Sequence, residues 1–193
     1  LVRWAREVGN TDVDTFIIPS DCPRFQSGDA KGLVKASTRG DDLYIFVDPG
    51  NYSVTYQLFG YENHLSPDDH FQNLMRLIQA VAGRAHRISV IMPSLYGGRQ
   101  HRRVSRESLD CAFALQQLRD VGVKNIITFD AHDPRVMNAV PTMSFDNVMP
   151  TYQVLKCLLH HVPDVSFHKD NFMIVSPDEG AMNRNMYYSS VLG

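Results

Sequence analysis

The chain has 193 residues, room for one large α/β domain or for one domain and the beginning of another. Its 44% hydrophobic and 21% charged residues are ordinary for a globular protein, and a formal net charge of -2 excludes a global electrostatic pull toward nucleic acid. Three cysteines, Cys22, Cys111 and Cys157, make neither an even set nor a CxxC pair, which excludes a disulfide framework and a zinc ribbon.

No apolar run nears the ~20 residues of a membrane span and no signal peptide is visible, so the expectation is a cytoplasmic protein with reduced thiols and no membrane contact. Leu1 to Val8 reads as the middle of an amphipathic helix, and an upstream segment is expected because the chain does not begin with Met. Strands are expected over Val13 to Ile18, Asp42 to Val47, His86 to Met92, Asn125 to Phe129 and Phe172 to Val175, each a short apolar run of the kind that a parallel sheet buries on both faces. Asp48 to Pro67 is polar, aromatic and Gly-rich, and reads as a long loop or a small β-excursion. Ser66-Pro67-Asp68-Asp69 supplies a cap hydroxyl, a proline at the first helical position and carboxylates at the positive end of the dipole. A helix therefore follows, with Phe71, Leu74, Leu77, Ile78 and Val81 at helical spacing and Gly83 as its stop. Further helices are expected over Ser108 to Val121 and Pro150 to Val162. Strands alternating with helices give an α/β fold with a mostly parallel sheet, in which ligands gather at the carboxyl ends of the strands.

Three clusters stand at such ends. After Met92 comes Pro93-Ser94-Leu95-Tyr96-Gly97-Gly98-Arg99-Gln100-His101-Arg102-Arg103-Val104-Ser105-Arg106: two glycines that let backbone approach a ligand, then guanidinium forks suited to polyphosphate oxygens. A solvated basic loop is the plainer reading, and a nucleic-acid patch is disfavoured by the balanced charge. After Phe129 comes Asp130-Ala131-His132-Asp133. Its carboxylates suit Mg²⁺ bridged to substrate phosphates, while the plainer reading makes Asp130 a turn cap. After Val175 comes Ser176-Pro177-Asp178-Glu179-Gly180-Ala181, another acidic pair before a helix. Phe145-Asp146-Asn147 is a weaker candidate, with Asp146 read as a helix-approach or turn residue.

These segments resemble, in order, the motifs of the ribose-phosphate pyrophosphokinase (PRPP synthetase) family. Phe25-Gln26-Ser27-Gly28-Asp29 is similar to its F-x-N/D-G-E loop, and Ser37-Thr38-Arg39-Gly40-Asp41-Asp42-Leu43 to its S-V-R-G-x-D-V entry. Gln72-Asn73-Leu74-Met75, Gly98-Arg99-Gln100-His101-Arg102, Asp130-Ala131-His132-Asp133, Phe145-Asp146-Asn147 and Ser176-Pro177-Asp178-Glu179-Gly180 follow in the family's sequence. The resemblance implies a phosphoribosyltransferase-like (Rossmann-like) fold, with residues 1–150 as an ATP-binding first domain and 151–193 as the beginning of a second, similar one.

The activity implied is transfer of the diphosphoryl group of ATP to ribose 5-phosphate, giving PRPP and AMP. By motif, Arg99 and His132 would act at the reacting phosphates, with Gln100, His101 and Arg102 also on ATP. His132, Asp178 and Asp130 would hold Mg²⁺. Phe25, with Ser27 and Asp29, would form an adenine pocket for a neighbouring subunit, and Ser37 and Arg39 an effector phosphate site. A homo-oligomer, dimer or hexamer, is implied. Departures mark a divergent branch: Asp29 for Glu, Ser27 for Asn or Asp, His101 for Asp, Ala131 for Leu, Asp133 for a small residue, and Glu179 and Ala181 for a small residue and a glycine. The family's acidic, Thr/Gly-rich PRPP loop is not among these residues, so the chain alone is expected to make no PRPP. Two other readings stand beside the enzyme. One is a non-catalytic homologue that binds nucleotide or phosphate and regulates a partner synthetase. The other is a salvage phosphoribosyltransferase, which would carry the missing loop.

Overall fold

The computed structural model describes residues 7, 9, 14–168 and 170–192. The helix expected over Leu1 to Val8 lies outside the described residues except for Glu7, as does Val13 of the first expected strand; residues 15–19 are irregular. The chain divides into two compact units, Leu1–Val148 and Met149–Gly193.

The first unit is built on four parallel strands in the order β3-β6-β7-β8: β3 Asp42–Phe46, β6 Arg87–Met92, β7 Asn125–Phe129 and β8 Ser144–Val148. Register pairs Ile45 with Val90, Val90 with Ile126 and Ile126 with Phe145 across the middle of the sheet. Helix α1, Pro67–Val81, crosses from β3 to β6, and α2, Asp110–Asp120, crosses from β6 to β7. The strand order never reverses, and right-handed crossovers then place successive helices on one face. That face holds the core: Phe71, Leu74 and Ile78 of α1, Cys111, Leu115 and Leu118 of α2, and Val90, Met92 and Ile126 of the sheet. Residues of the opposite pleat are open where both-face burial was expected: Tyr44, Phe46, Phe129 and Val148 are 55%, 67%, 41% and 43% exposed. Of the two inner strands, β6 is buried through most of its length and β7 at Ile126 and Thr128.

Helix α1 starts as its sequence demands. Ser66 and Asp69 form a reciprocal capping box, with Pro67 in the first turn. The excursion over residues 48–67 contains a hairpin, β4 Thr55–Leu58 and β5 Tyr61–His64. Its two-residue turn, Phe59 and Gly60, has φ of 52° and 80°, the primed geometry that matches strand twist. His70 of α1 anchors the excursion through Nε2 to the Asn51 carbonyl at 2.8 Å. Ahead of β3, the two-residue strands β1 Ser20–Asp21 and β2 Leu33–Val34 pair antiparallel. Gly32 brings this ribbon onto α1, where a Cβ would stand 2.4 Å from the Arg76 carbonyl oxygen, so no other residue fits.

The second unit contains α3, Thr151–His161, and α4, Met182–Leu192, with a short 3-10 turn, Glu179–Ala181, before α4. The strand expected at Phe172 to Val175 does not form. Residues 172–175 pair with no strand among the described residues, and Met173 and Val175 are 82% and 72% exposed. A strand takes its hydrogen bonds from a neighbour, and an apolar run alone cannot supply one.

Candidate functional site

Two loops meet at the carboxyl edge of adjacent strands. The first follows β6. Tyr96 is fixed there by stacking on Phe71 at 4.5 Å and by donating its hydroxyl to Asp68 at 2.7 Å, a bond that, with burial, pushes the phenol up to about 12. Gly97 turns the chain at φ 66°, and a Cβ on it would stand 3.1 Å from the Cys111 amide nitrogen at the start of α2. Gly98 donates to the Leu95 carbonyl, Gln100 to the Gly97 carbonyl, and Cys111 to the Gln100 carbonyl. This packed turn presents Arg99, Gln100, Arg102 and Arg103 as exposed side chains, while His101 is turned inward.

The second loop follows β7. Asp130 adopts φ 47°, a left-handed conformation that turns the chain sharply off the strand, and its amide donates to the Val148 carbonyl at 3.0 Å. The Asn147 side chain accepts from the Ala131 amide at 2.8 Å and fixes the next residue. Asp133 accepts from the Arg135 amide at 2.9 Å and from its guanidinium, and begins the 3-10 turn Pro134–Ala139. The Arg135 side chain and amide, and more weakly the charge of His101, hold the Asp133 carboxyl far below the usual carboxylate range. His132 is exposed, with its ring 5.2 Å from that of His101 and tilted 55° to it.

The structure therefore sets the loop that carries Arg99, Gln100, His101 and Arg102 on the strand next to the loop that carries Asp130, His132 and Asp133, with His101 in contact with His132 and Asp133. The other expected residues lie elsewhere. Phe25, Ser27 and Asp29 form a turn between β1 and β2: Ser27 donates to Asp29 at 2.9 Å, and the Lys31 ammonium lies 5.7 Å from the Phe25 ring. Ser37 and Arg39 are exposed in the turn before β3, linked by the Arg39 amide to the Ser37 hydroxyl at 3.4 Å. Asp178, in the second unit, accepts from the Ala181 amide at 3.0 Å and caps the turn into α4. Asp146 is exposed on the edge strand β8, a strand rather than the helix approach or turn expected there. A cleft of about 490 Å³ beside the end of β3, lined by Cys22, Arg24, Asp48, Tyr56 and His70 among others, contains none of the expected residues.

Among the described residues, no three His, Cys, Asp or Glu side chains gather closely enough to enclose a metal ion. The carboxylate of Asp130 and the imidazole of His132 are donors that a Mg²⁺ ion would take alongside phosphate oxygens and water. Sequence reasoning missed Tyr96, Arg135 and the supporting role of Asn147. Tyr96 stood within the Pro93 to Arg106 cluster and Asn147 within the Phe145-Asp146-Asn147 triplet, neither with a role assigned, and Arg135 carried no signal.

The model of the N-terminal domain of ribose phosphate pyrophosphokinase matches residues 5–122. Ribose-phosphate pyrophosphokinase of Staphylococcus aureus (strain N315) is 24% identical over 171 residues, covering 88% of this chain and 48% of that protein. The Maricaulis maris (strain MCS10) protein of the same description is 24% identical over 176 residues, covering 89% and 50%. The chain thus spans about half the length of these curated relatives. The crystal structure of phosphoribosylpyrophosphate synthetase from Mycobacterium smegmatis superposes with a TM-score of 0.75 over 98% of this chain and 56% of that one, at 19% identity, a likeness of fold.

Proposed function

The chain belongs to the ribose-phosphate pyrophosphokinase family by its N-terminal domain, and from that premise we propose that its two carboxyl-edge loops hold the polyphosphate of ATP for diphosphoryl transfer to ribose 5-phosphate. The convergence of the Arg99–Arg102 loop and the Asp130–Asp133 loop on adjacent strands, with His101 and His132 in ring contact, carries the reading. Transfer of this type needs positioning and charge neutralisation more than covalent chemistry. Arg99 and Arg102 present guanidinium forks to phosphate oxygens, Gln100 an amide donor, and His132 an imidazole at the same edge. Mg²⁺, held by His132 and Asp130 together with the nucleotide's own oxygens, would neutralise charge on the transferred group. Phe25, Ser27 and Asp29 would serve an adenine pocket, and Ser37 and Arg39 an effector phosphate, in a homo-oligomer.

Calorimetric titration with Mg-ATP tests the reading. The chain should bind, and Arg99→Ala and His132→Ala should each weaken binding about tenfold or more, the worth of a charge-assisted bond or two. Phosphorus NMR with ribose 5-phosphate added should show no AMP from these 193 residues alone. An absence of Mg-ATP binding, or affinity indifferent to both substitutions, sinks the proposal.

A further inference from the structure

We propose that His101 and Asp133 form a latch between the loop after β6 and the loop after β7, a positioning device through which Arg99 and Gln100 are held beside His132. The inference rests on the reading of these loops as a polyphosphate cradle. The His101 and Asp133 side chains keep only 15% and 11% of their surface exposed, while Arg99, Gln100, Arg102, Arg103 and His132 around them are exposed. Buried polar groups are destabilising unless partnered. Nε2 of His101 lies 3.5 Å from the Asp133 carboxylate. Nδ1 is buried with no hydrogen-bond partner, a cost that an apolar side chain in the same slot would not carry. What the imidazole adds over such a side chain is its contact with Asp133.

Asp133 is a fixed anchor, because the Arg135 amide and guanidinium hold its carboxylate at the head of a 3-10 turn. The loop on the other side needs one. Among the described residues, its backbone–backbone hydrogen bonds end at Gln100, and within residues 101–108 the Val104 amide donates to the Glu107 side chain at 2.6 Å, a bond inside the segment that ties it to no other element. His101 is therefore the point at which the basic segment is tied down beside its first arginine. The pairing suits a base at this position: an aspartate at 101 would face the Asp133 carboxylate with like charge.

Amide hydrogen exchange of residues 98–106 in the ligand-free chain tests the latch. His101→Leu and Asp133→Ala should each raise exchange there by roughly tenfold, and the double variant should rise no further, since coupled residues are not additive. His101→Gln should restore protection, because its amide nitrogen falls where Nε2 lies. If Asp133→Ala fails to fold, the Leu and Gln variants at 101 decide alone, with Asp133–Arg135 intact. Unchanged exchange in His101→Leu, or Gln behaving as Leu, overturns the latch. Mg-ATP affinity reads the positioning role separately: His101→Leu should bind roughly tenfold more weakly and His101→Gln near wild type. Loosened exchange with unaltered affinity overturns positioning. A wild-type chain that binds no Mg-ATP instead removes the cradle reading and the positioning role with it, while exchange still decides the latch.

Discussion

The segment around β7 and the segment that ends at Asp178 begin from the same kind of sequence and come to different ends. Each is a short apolar run followed by an acidic cluster: Asn125-Ile126-Ile127-Thr128-Phe129 before Asp130, and Phe172-Met173-Ile174-Val175 before Asp178. The first is a strand with β6 on one side and β8 on the other, and Ile126 and Thr128 are fully buried. The second is irregular, with Met173 and Val175 mostly exposed. Strand formation is thus a property of the neighbours more than of the run, because the ladder bonds and half of the buried area come from adjacent strands. The chemistry follows. Asp130 and His132 are aimed by a packed sheet, and Asp178 by a single cap bond.

The sharpest way to break this comparison is to delete buried methyls from both runs. Ile126→Ala should destabilise the first unit by about 2–5 kcal/mol, the range for a fully packed core isoleucine. Met173→Ala should fall within about 0.5 kcal/mol of wild type, as exposed positions do. Urea denaturation followed by circular dichroism reads both. A cost for Met173→Ala comparable to that for Ile126→Ala would mean that the 172–175 run is buried against something after all.

What sequence could and could not deliver follows the same line. The strands β6 and β7 were legible as apolar runs bounded by breakers, and α1 as a capped periodic segment whose box is present in atomic detail. The β8 strand was not, because Ser144-Phe145-Asp146-Asn147-Val148 is half polar. As an edge strand it buries only part of Phe145 and Asn147 on the helix-covered side, and Asp and Asn are poor strand formers read alone. The two-residue strands β1 and β2 are too short to show any period. At the site, residue types pointed to the two loops, but nothing local in the sequence says that His101 turns inward while Arg99 turns out. Nor does it say that Asn147 spends its side chain on the Ala131 amide. Those facts are set by which loop lies beside which, a tertiary matter.

Glycine offers a smaller contrast between the same two regions. Gly97 has φ 66°, and a Cβ there would stand 3.1 Å from backbone that cannot give way. Gly97→Ala should cost about 1–2 kcal/mol, the ordinary penalty of a left-handed non-glycine residue, and should loosen the turn that presents Arg99. At Gly180 the added Cβ would meet only the Asp178 side-chain oxygen at 3.2 Å. An exposed carboxylate can move, so Gly180→Ala should stay within about 0.5 kcal/mol of wild type. Equal costs in thermal melts of the two variants would remove the distinction between a turn set by packing and one set by a lone cap.

The smallest effect lies in how the two units start their helices. Helix α3 begins on Pro150 with no side-chain cap bond, whereas α1 has Asp69 accepting from Ser66 and paired with Arg24 at 2.8 Å. Burial alone would raise the Asp69 carboxyl. The Ser66 amide, the Arg24 guanidinium and the Ser66 hydroxyl all donate to it and carry it below the ordinary carboxylate value. A carboxyl lowered by folding contributes stability that is fully present above the unfolded value near pH ~4 and is lost as pH falls through the folded value. Asp69→Asn should therefore cost about 1 kcal/mol at neutral pH, the usual worth of a helix cap, and the gap to wild type should close in acid. Urea midpoints from pH 7 down to pH ~2 check it, the span over which such a carboxyl protonates. A gap that stays constant across that span would mean that Asp69 acts through shape and not through charge, and that the capped helix owes its start to Pro67 and its buried face.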